Sequence, residues 1–286
     1  MPLTLSKRAQ VVPQVKISPP ENLVLDNFAI RPAATFNLRR TTRHYDGAMV
    51  TVRGTSSIVP RRVFKSDVRG DLDIRALLAF IGNGSGFVDR WNNPNDSSRD
   101  AVQATGANQP RIVSGGVLDT RNGKPSIVFD GVTSFLSATP SSYSGSFTLN
   151  LIIAPDSSMP SFGMVLVLNA NVTEYRRNGA ASHMQINLNG GSAIQDIPSG
   201  FDYRITSALV SGTSQELFTN GVLVQSTSIV FSPLINSHSF GGRSAGSFPY
   251  KGSFQEMVLF HSLSSTIDRQ LLERDQAKYF SILGVA

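Results

Sequence analysis

The 286-residue chain contains no cysteine, which excludes disulfides, thiolate zinc sites and a cysteine nucleophile. Charge is sparse, at 16% of residues, and there is a single tryptophan. Its four histidines, His44, His183, His238 and His261, are scattered and match no metal-ligand spacing. Long apolar runs are missing as well. Leu149–Ala154 and Met164–Leu168 are strand-sized, far short of the roughly 18 residues of a membrane span. The opening Met-Pro-Leu-Thr-Leu-Ser-Lys-Arg lacks the apolar core of a secretory signal. A soluble protein made in a reducing cytosol is therefore expected.

What is present is a large apolar fraction, 40%, with 24 Gly and 15 Pro. That is enough apolar surface to offset the entropy of ordering a chain, and neither a collagen period nor sustained heptads occur. The charge is uneven. Residues 1–75 hold 13 Lys and Arg against 6 acids, whereas residues 76–286 hold 13 against 14. Pro2, Pro13, Pro19, Pro20 and Pro32 forbid a continuous helix or central strand at the start. Residues 1–35 are thus expected to form an extended basic arm, and residues 36–286 the globular domain. The arm has no dense basic run, and Phe28 and Phe36 are its only neighbouring aromatics, so nucleic acid is set aside as its partner.

Two helices are predicted. Asp71–Gly82 opens on a capping Asp, repeats Ile74, Leu77, Leu78 and Ile81, and stops at Gly82. The second covers 266–280, with Ser265 and Asp268 as a capping-box-like start and Ile267, Leu271, Leu272 and Tyr279 as its apolar stripe. Elsewhere the pattern is β, with strands predicted at 127–130, 146–153, 163–168, 183–188, 203–210, 216–224 and 254–260. Asn220-Gly221 between apolar runs marks a two-residue hairpin. The fold class is all-β: a two-sheet antiparallel sandwich with two short helices and an N-terminal arm.

Gly252–Ser265 with the helix ending in Ala277-Lys-Tyr-Phe280, the Thr219–Leu223 turn and Gly123–Gly131 resemble parts of concanavalin A-like (laminin G-like) jelly rolls. Asp71–Phe80, Gly86–Trp91, Arg99–Thr105 and Asn108–Ile112 resemble the catalytic sandwich of type B α-L-arabinofuranosidases, relatives of which occur in tailed-bacteriophage virion genes. The resemblance spans roughly 36–283 and implies the fold more than an activity. Two features depart from it. The loop after Trp91 reads Asn92-Asn-Pro-Asn-Asp-Ser-Ser98 in place of the family's loop, and the disulfides of the fungal enzymes are impossible here. The family's catalytic carboxylates find no matching motif, so none is assigned.

Glycoside hydrolysis needs two carboxylates about 5–9.5 Å apart. Glu256, between apolar neighbours in a predicted strand, is the most interesting acid; a solvent-facing position or an arginine partner is its ordinary explanation. Glu174 and Asp202 have loop-like surroundings. The oxygen-rich loop Asn92, Asn93, Asn95, Asp96 beside Trp91 is the first choice for a ligand patch, with Trp91 stacking on a sugar and calcium the one ion considered. No other cofactor is expected. Gly242-Arg-Ser-Ala-Gly246 matches a nucleophile elbow, but Pro249 and a turn follow where a helix is needed. Gly82-Asn-Gly-Ser-Gly86 likewise reads as a turn.

These features, with the phage relatives, lead to a non-enzymatic virion protein made in the host cytoplasm: a capsid decoration, head fibre or tail adhesin, expected as a homo-oligomer. Its arm would hold other capsid or tail proteins through Lys7, Arg8, Lys16, Arg31, Arg39, Arg40, Arg61 and Arg62, since guanidinium binds carboxylate bidentately. The sandwich would face a host surface glycan. The alternative is an arabinofuranosidase-like glycoside hydrolase.

Overall fold

The computed structural model describes residues 23–43, 45, 47–55, 62–65, 71–169, 173–177, 184–188, 193–197, 202–228, 230 and 232–285. The predicted sandwich is present. In one sheet the strand Lys251–Phe260 is central, flanked by Ala34–Asn37 and Ile127–Asp130 on one side and Phe147–Pro155 on the other. Arg204–Val210, Ser214–Thr219 and Val222–Ser228 continue outward from there. The other sheet runs Leu136–Ala138, His238–Phe240, Met164–Asn169, Thr173–Arg177, Met184–Leu188 and Ala193–Ile197. All pairings among the described residues are antiparallel. Strands Ala48–Gly54, Gly86–Trp91 and Arg111–Ser114 extend the first sheet from Ile127–Asp130, and Ala101–Val102 links Gly86–Trp91 to Leu136–Ala138 of the other. The hairpin at Asn220-Gly221 forms as expected: both residues have positive φ, 49° and 83°, and Thr219 pairs with Val222. No helix among the described residues is long and apolar enough to cross a membrane.

Alternation along the strands builds the core. Phe147, Leu149, Leu151 and Ile153 enter the main cluster from one face of their strand. Four rings knit the sheets together: Trp91 lies 5.7 Å from Phe36, 5.4 Å from Phe240 and 5.7 Å from Phe254 in tilted or edge-on contacts. Edge-on pairs of this kind add about 0.5–1.5 kcal/mol beyond the area they bury.

Helix α1 (Ile74–Ile81) is capped by Asp73, whose Oδ1 accepts from the Ala76 N–H at 2.9 Å, and it ends at Gly82 with φ 60°. Helix α2 (Thr266–Phe280) begins at Ser265, whose hydroxyl accepts from the Asp268 N–H at 3.0 Å. Its buried face departs from the expected stripe. Ile267 and Leu271 are exposed, while Arg269, Leu272, Glu273, Gln276 and Phe280 are buried. The physical reason is a polar network beneath the helix. Glu256, fully buried on the adjoining strand, accepts from Arg39 Nε at 2.6 Å, Arg39 Nη2 at 3.1 Å and Gln276 Nε2 at 2.9 Å. Glu273 accepts from Ser207 at 2.6 Å and pairs with Arg269. Burial acts to lower the Arg39 pKa, but Glu256 and Asp275 together outweigh it and raise the value.

The described part of the arm folds back on the sandwich. Val24 and Leu25 pack with Val258, Phe260 and Leu272, and Ala34–Asn37 is a full member of a sheet. The boundary drawn at 35/36 therefore falls inside a strand. Arg39 is also not available to a foreign carboxylate, because it is 5% exposed and bound to Glu256 and Asp275. Arg40 donates to the carbonyls of Thr42 and Arg43. Arg31 is exposed, and Arg62 opens the strand Arg62–Lys65. Lys7, Arg8, Lys16 and Arg61 lie outside the described residues.

Two outcomes are expected. Replacing Arg39 with Met strands the Glu256 carboxylate in a dry site, which should cost about 3–5 kcal/mol in denaturant unfolding; a loss below 1 kcal/mol would show the pair to be dispensable. The second concerns His238, whose buried ring has no hydrogen-bond partner on either nitrogen. Its pKa is pushed down to about 3 by burial, with smaller contributions from His261 and Arg99. The folded value lies below the unfolded one, so the unfolded chain binds the proton first and stability falls as pH drops from about 6.5 toward 3. His238→Phe should flatten the slope of stability between pH 7 and 5.

Candidate functional site

The loop singled out beside Trp91 is a structural turn. Trp91 is 0% exposed, and its indole N–H donates to the Asn37 carbonyl at 3.0 Å. It belongs to the core and cannot stack on a sugar. Asn93 is buried, its Oδ1 accepting from the N–H groups of Thr35 and Asn95. Asp96 accepts from Ser98, and Asp100 from Asn93 N–H, Arg90 and Asn92. The oxygens proposed for calcium are thus largely engaged in holding the turn, and among the described residues no group of three His, Asp or Glu could hold a metal. Asn95 and Arg31 both line a groove of about 660 Å³, whose carboxylate, Asp26, accepts from the Thr42 hydroxyl and the Arg43 N–H.

Two glutamates are fully buried in strands: Glu256, described above, and Glu174. Glu174 lies on Thr173–Arg177, a strand rather than the loop its sequence suggests. Tyr175, its neighbour, points into the core, so Glu174 and Arg176 take the opposite face, with Asn187 and Gln185 across the pair in register. Arg243 reaches the same carboxylate from the loop after His238–Phe240: its Nε donates to Glu174 Oε1 at 3.1 Å and its Nη2 to the same oxygen. Arg176 Nη1 and Asn187 Nδ2 approach Oε2 at 3.5 and 3.4 Å.

This second centre is incompletely paired. Gln185 Oε1, Asn187 Oδ1 and Arg176 Nε are buried without a hydrogen-bond partner. A buried polar atom left unpaired costs about 1–3 kcal/mol and calls for an explanation. The void beneath the strand, between the sheets, is about 10 Å³, room for one water at most. A ligand would have to meet this cluster from the outer face.

That face carries a rim of aromatic residues. Phe162 and Phe248 are 43% and 40% exposed, yet both have left-handed backbones, with φ 60° and 52°. A bulky side chain there is a genuine outlier, and such strain gathers at functional sites. The Arg176 guanidinium sits 5.5 Å from the Phe162 ring and that of Arg243 5.0 Å from the Phe248 ring. The order Phe162, Arg176, Glu174, Arg243, Phe248 forms a continuous arc. Met164 N–H donates to the Phe248 carbonyl at 2.9 Å, and Arg177 N–H to that of Gly163 at 3.0 Å, so the two loops are stitched to each other and to the strand. Gly163 permits this approach, since a Cβ there would meet the Pro249 carbonyl at 2.6 Å. The Gly242–Gly246 motif is indeed a turn, closed by Ser244 and Ser247. Its chemical content is Arg243, which the motif does not signal. Phe162, Phe248, Arg176, Gln185 and Asn187 also escape sequence reasoning; the alternation Glu174-x-Arg176 is the one available hint.

No family model matches the chain, and no curated protein sequence does. Solved structures do. An arabinofuranosidase complexed with arabinofuranosyl-α-1,2-xylobiose is similar at a TM-score of 0.65 and 11% identity, over 88% of this chain and 63% of that one. A Glu-to-Gln mutant of a GH54 α-L-arabinofuranosidase soaked with 4-nitrophenyl α-L-arabinofuranoside gives 0.64 and 11%, with the same coverages. A GH54 α-L-arabinofuranosidase soaked with a cyclic sulfate inhibitor gives 0.60 and 9%. The chain spans 63% of the length of these enzymes, and at such identity the likeness shows the fold: an arabinofuranosidase-like β-sandwich. The expectation of a non-enzymatic protein is overturned here, because these arabinofuranosidases, whose fold the chain shares, are glycoside hydrolases. The virion setting draws no support from these comparisons.

Since Trp91 holds the core, Trp91→Ala should cost about 3–5 kcal/mol in denaturant unfolding. A stable variant with selectively lost ligand binding would return Trp91 to a recognition role.

Proposed function

We propose that this chain is a carbohydrate-directed sandwich whose sugar site is the Glu174 centre. The observation that carries this is the arc of two exposed, backbone-strained phenylalanines around a buried carboxylate and two guanidiniums. Ligand sites combine apolar and aromatic surface with a few converging polar groups. Here the phenyl faces suit the C–H face of a sugar ring. The guanidinium N–H groups of Arg176 and Arg243, which keep some exposure, suit hydroxyl oxygens. The fold shared with arabinofuranosidases supports the ligand class.

Hydrolysis is the second reading, favoured by that fold. Oxocarbenium-like transition states gain from a carboxylate beside the anomeric carbon, and Glu174, fixed by two arginines, fits this role. A general acid at 5–9.5 Å is also required by the chemistry; no residue is assigned to it.

Phe162→Ala and Phe248→Ala should each weaken binding of arabino-oligosaccharides roughly five- to tenfold, in line with about 1 kcal/mol for one aromatic contact, with melting temperature nearly unchanged. Calorimetric titration reads this, and undiminished affinity in both variants would reject the site. Release of 4-nitrophenol from 4-nitrophenyl α-L-arabinofuranoside, abolished in Glu174→Gln, would establish hydrolysis; no turnover by the native chain would reject it for this substrate.

A further inference from the structure

Away from the Glu174 centre, two imidazoles sit inside the fold with ring nitrogens that lack hydrogen-bond partners. His238 is buried and neither of its nitrogens is bonded; its ring meets Phe36 edge-on at 6.1 Å. His261 is half-buried, and its Nε2 has no partner either. The His261 ring lies flat on Tyr143, with centroids 3.8 Å apart and planes 6° from parallel. The two histidines hold the two strands of one small flap, in which Tyr143–Ser144 pairs with Leu234–Ile235. His261 stacks against the first strand, and His238 anchors the chain into the core three residues after the second.

Backbone hydrogen bonds tie this flap down. The Gly145 N–H donates to the Pro233 carbonyl, and those of Asn236 and Ser237 donate to the Leu168 carbonyl, each at 3.1 Å. The Tyr143 hydroxyl is shared between the carbonyls of Ser146 and His261. The titratable and charged groups that act on His238 are His261 and Arg99, and Arg99 acts on His261 as well. Arg99 pairs with Asp96 at 2.9 Å and reaches the flap at the Ser141 hydroxyl. Ala138 and Phe36, packed against His238 from the neighbouring strands, bring no charge. Burial first, and like charge second, hold both imidazoles below their ordinary range. Lifting the flap returns the rings to water, where histidine takes up a proton near pH 6.5. The open form then binds protons that the closed form does not, so each histidine makes opening about tenfold easier per pH unit below that value.

We propose that residues 143–146 and 233–238 form an acid-released flap, closed at neutral pH and lifting below about pH 6 while the two sheets stay folded. Opening uncovers Ile235, which is otherwise fully buried, and the Phe36 side of the core. The flap is independent of the sugar-site reading.

The test is amide hydrogen exchange of the full chain, read residue by residue between about pH 7.5 and pH 5 and corrected for the intrinsic pH dependence of exchange. The opening constants at Gly145, Asn236 and Ser237 should rise at least ~30-fold over that range, the effect of a single histidine. They should not respond to low urea, because the opening exposes little surface. Amides of Phe147–Pro155 should stay more protected at every pH and should respond to urea. His238→Phe should cut the rise to the share of His261, and the double variant with His261→Gln should abolish it. A flat profile in the native chain, a rise undiminished in His238→Phe, or flap amides that exchange only together with Phe147–Pro155 would overturn the proposal. Should His238→Phe not fold, His261→Gln, at a half-exposed position, decides alone: a lessened rise supports the flap and an unchanged one rejects it.

Discussion

A carboxylate buried in the face of a β-sheet has to be met by donors that the sheet cannot supply from its own backbone, and this constraint organises the molecule. The cost of stripping water from the charge is several kcal/mol, recovered only by close and well-aligned partners. Glu256 and Glu174 are both fully buried, and for each the chain delivers an arginine from a distant segment: Arg39 to the first and Arg243 to the second. The difference between the two centres is one of degree, since Gln276 Oε1 at the first is itself buried without a hydrogen-bond partner. At Glu256 both oxygens are engaged and a helix closes over them, with Gln276 bonded both to Glu256 and to Asn150. At Glu174 acceptors and a donor remain over. Half-satisfied polar networks are costly, and what sets the second centre apart is the pair of exposed phenylalanines, Phe162 and Phe248, beside its arginines.

The same contrast explains helix α2. A helix laid on an apolar sheet face shows an apolar stripe, but here the covered face offers Asn150, Ser207 and Glu256, so the helix presents Arg269, Glu273 and Gln276 to it. Its apolar anchors, Leu272 and Phe280, sit toward the two flanks, in separate small clusters. Ile267 and Leu271 fall outside this contact and stay in solvent. Specificity of register, rather than burial of area, is what such a polar interface supplies to the docking of the helix.

Legibility in the sequence followed the range of the interactions involved. Elements governed by neighbours within a few residues were readable: strand alternation at Phe147–Ile153, the Asn220-Gly221 turn, and the Ser265 cap. The position of α1 was readable too, although the cap is Asp73 and not Asp71. Elements governed by long-range pairing were not. Glu256 could be marked as unusual and an arginine suggested, but that the arginine is Arg39, 217 positions away, required the fold. Glu174 looked ordinary because its closer arginine, Arg243, is 69 positions distant. Trp91 misled for another reason: a polar loop beside an aromatic looks the same whether the ring points out or in, and spacing carries no information on that direction. Phe162 and Phe248 are single aromatics in turn-rich segments, and their left-handed backbones leave no sequence mark at non-glycine positions.

Around 11% identity suffices to keep this sandwich superposable on the arabinofuranosidases over most of its length, and the structure indicates why so few positions are needed. The fold asks for apolar residues at alternate strand positions and a ring cluster of the right volume, conditions many sequences meet. The site asks for something different: glycines at 163, 241 and 242 that let two loops approach the sheet edge, so that whatever follows them is presented to one outer face. The turn fixes the position of residue 243, but its guanidinium also meets the buried Glu174, so it cannot change character without stranding that carboxylate. The fold is thus set by alternation and turn geometry, and what the outer face does has to be argued from its own side chains.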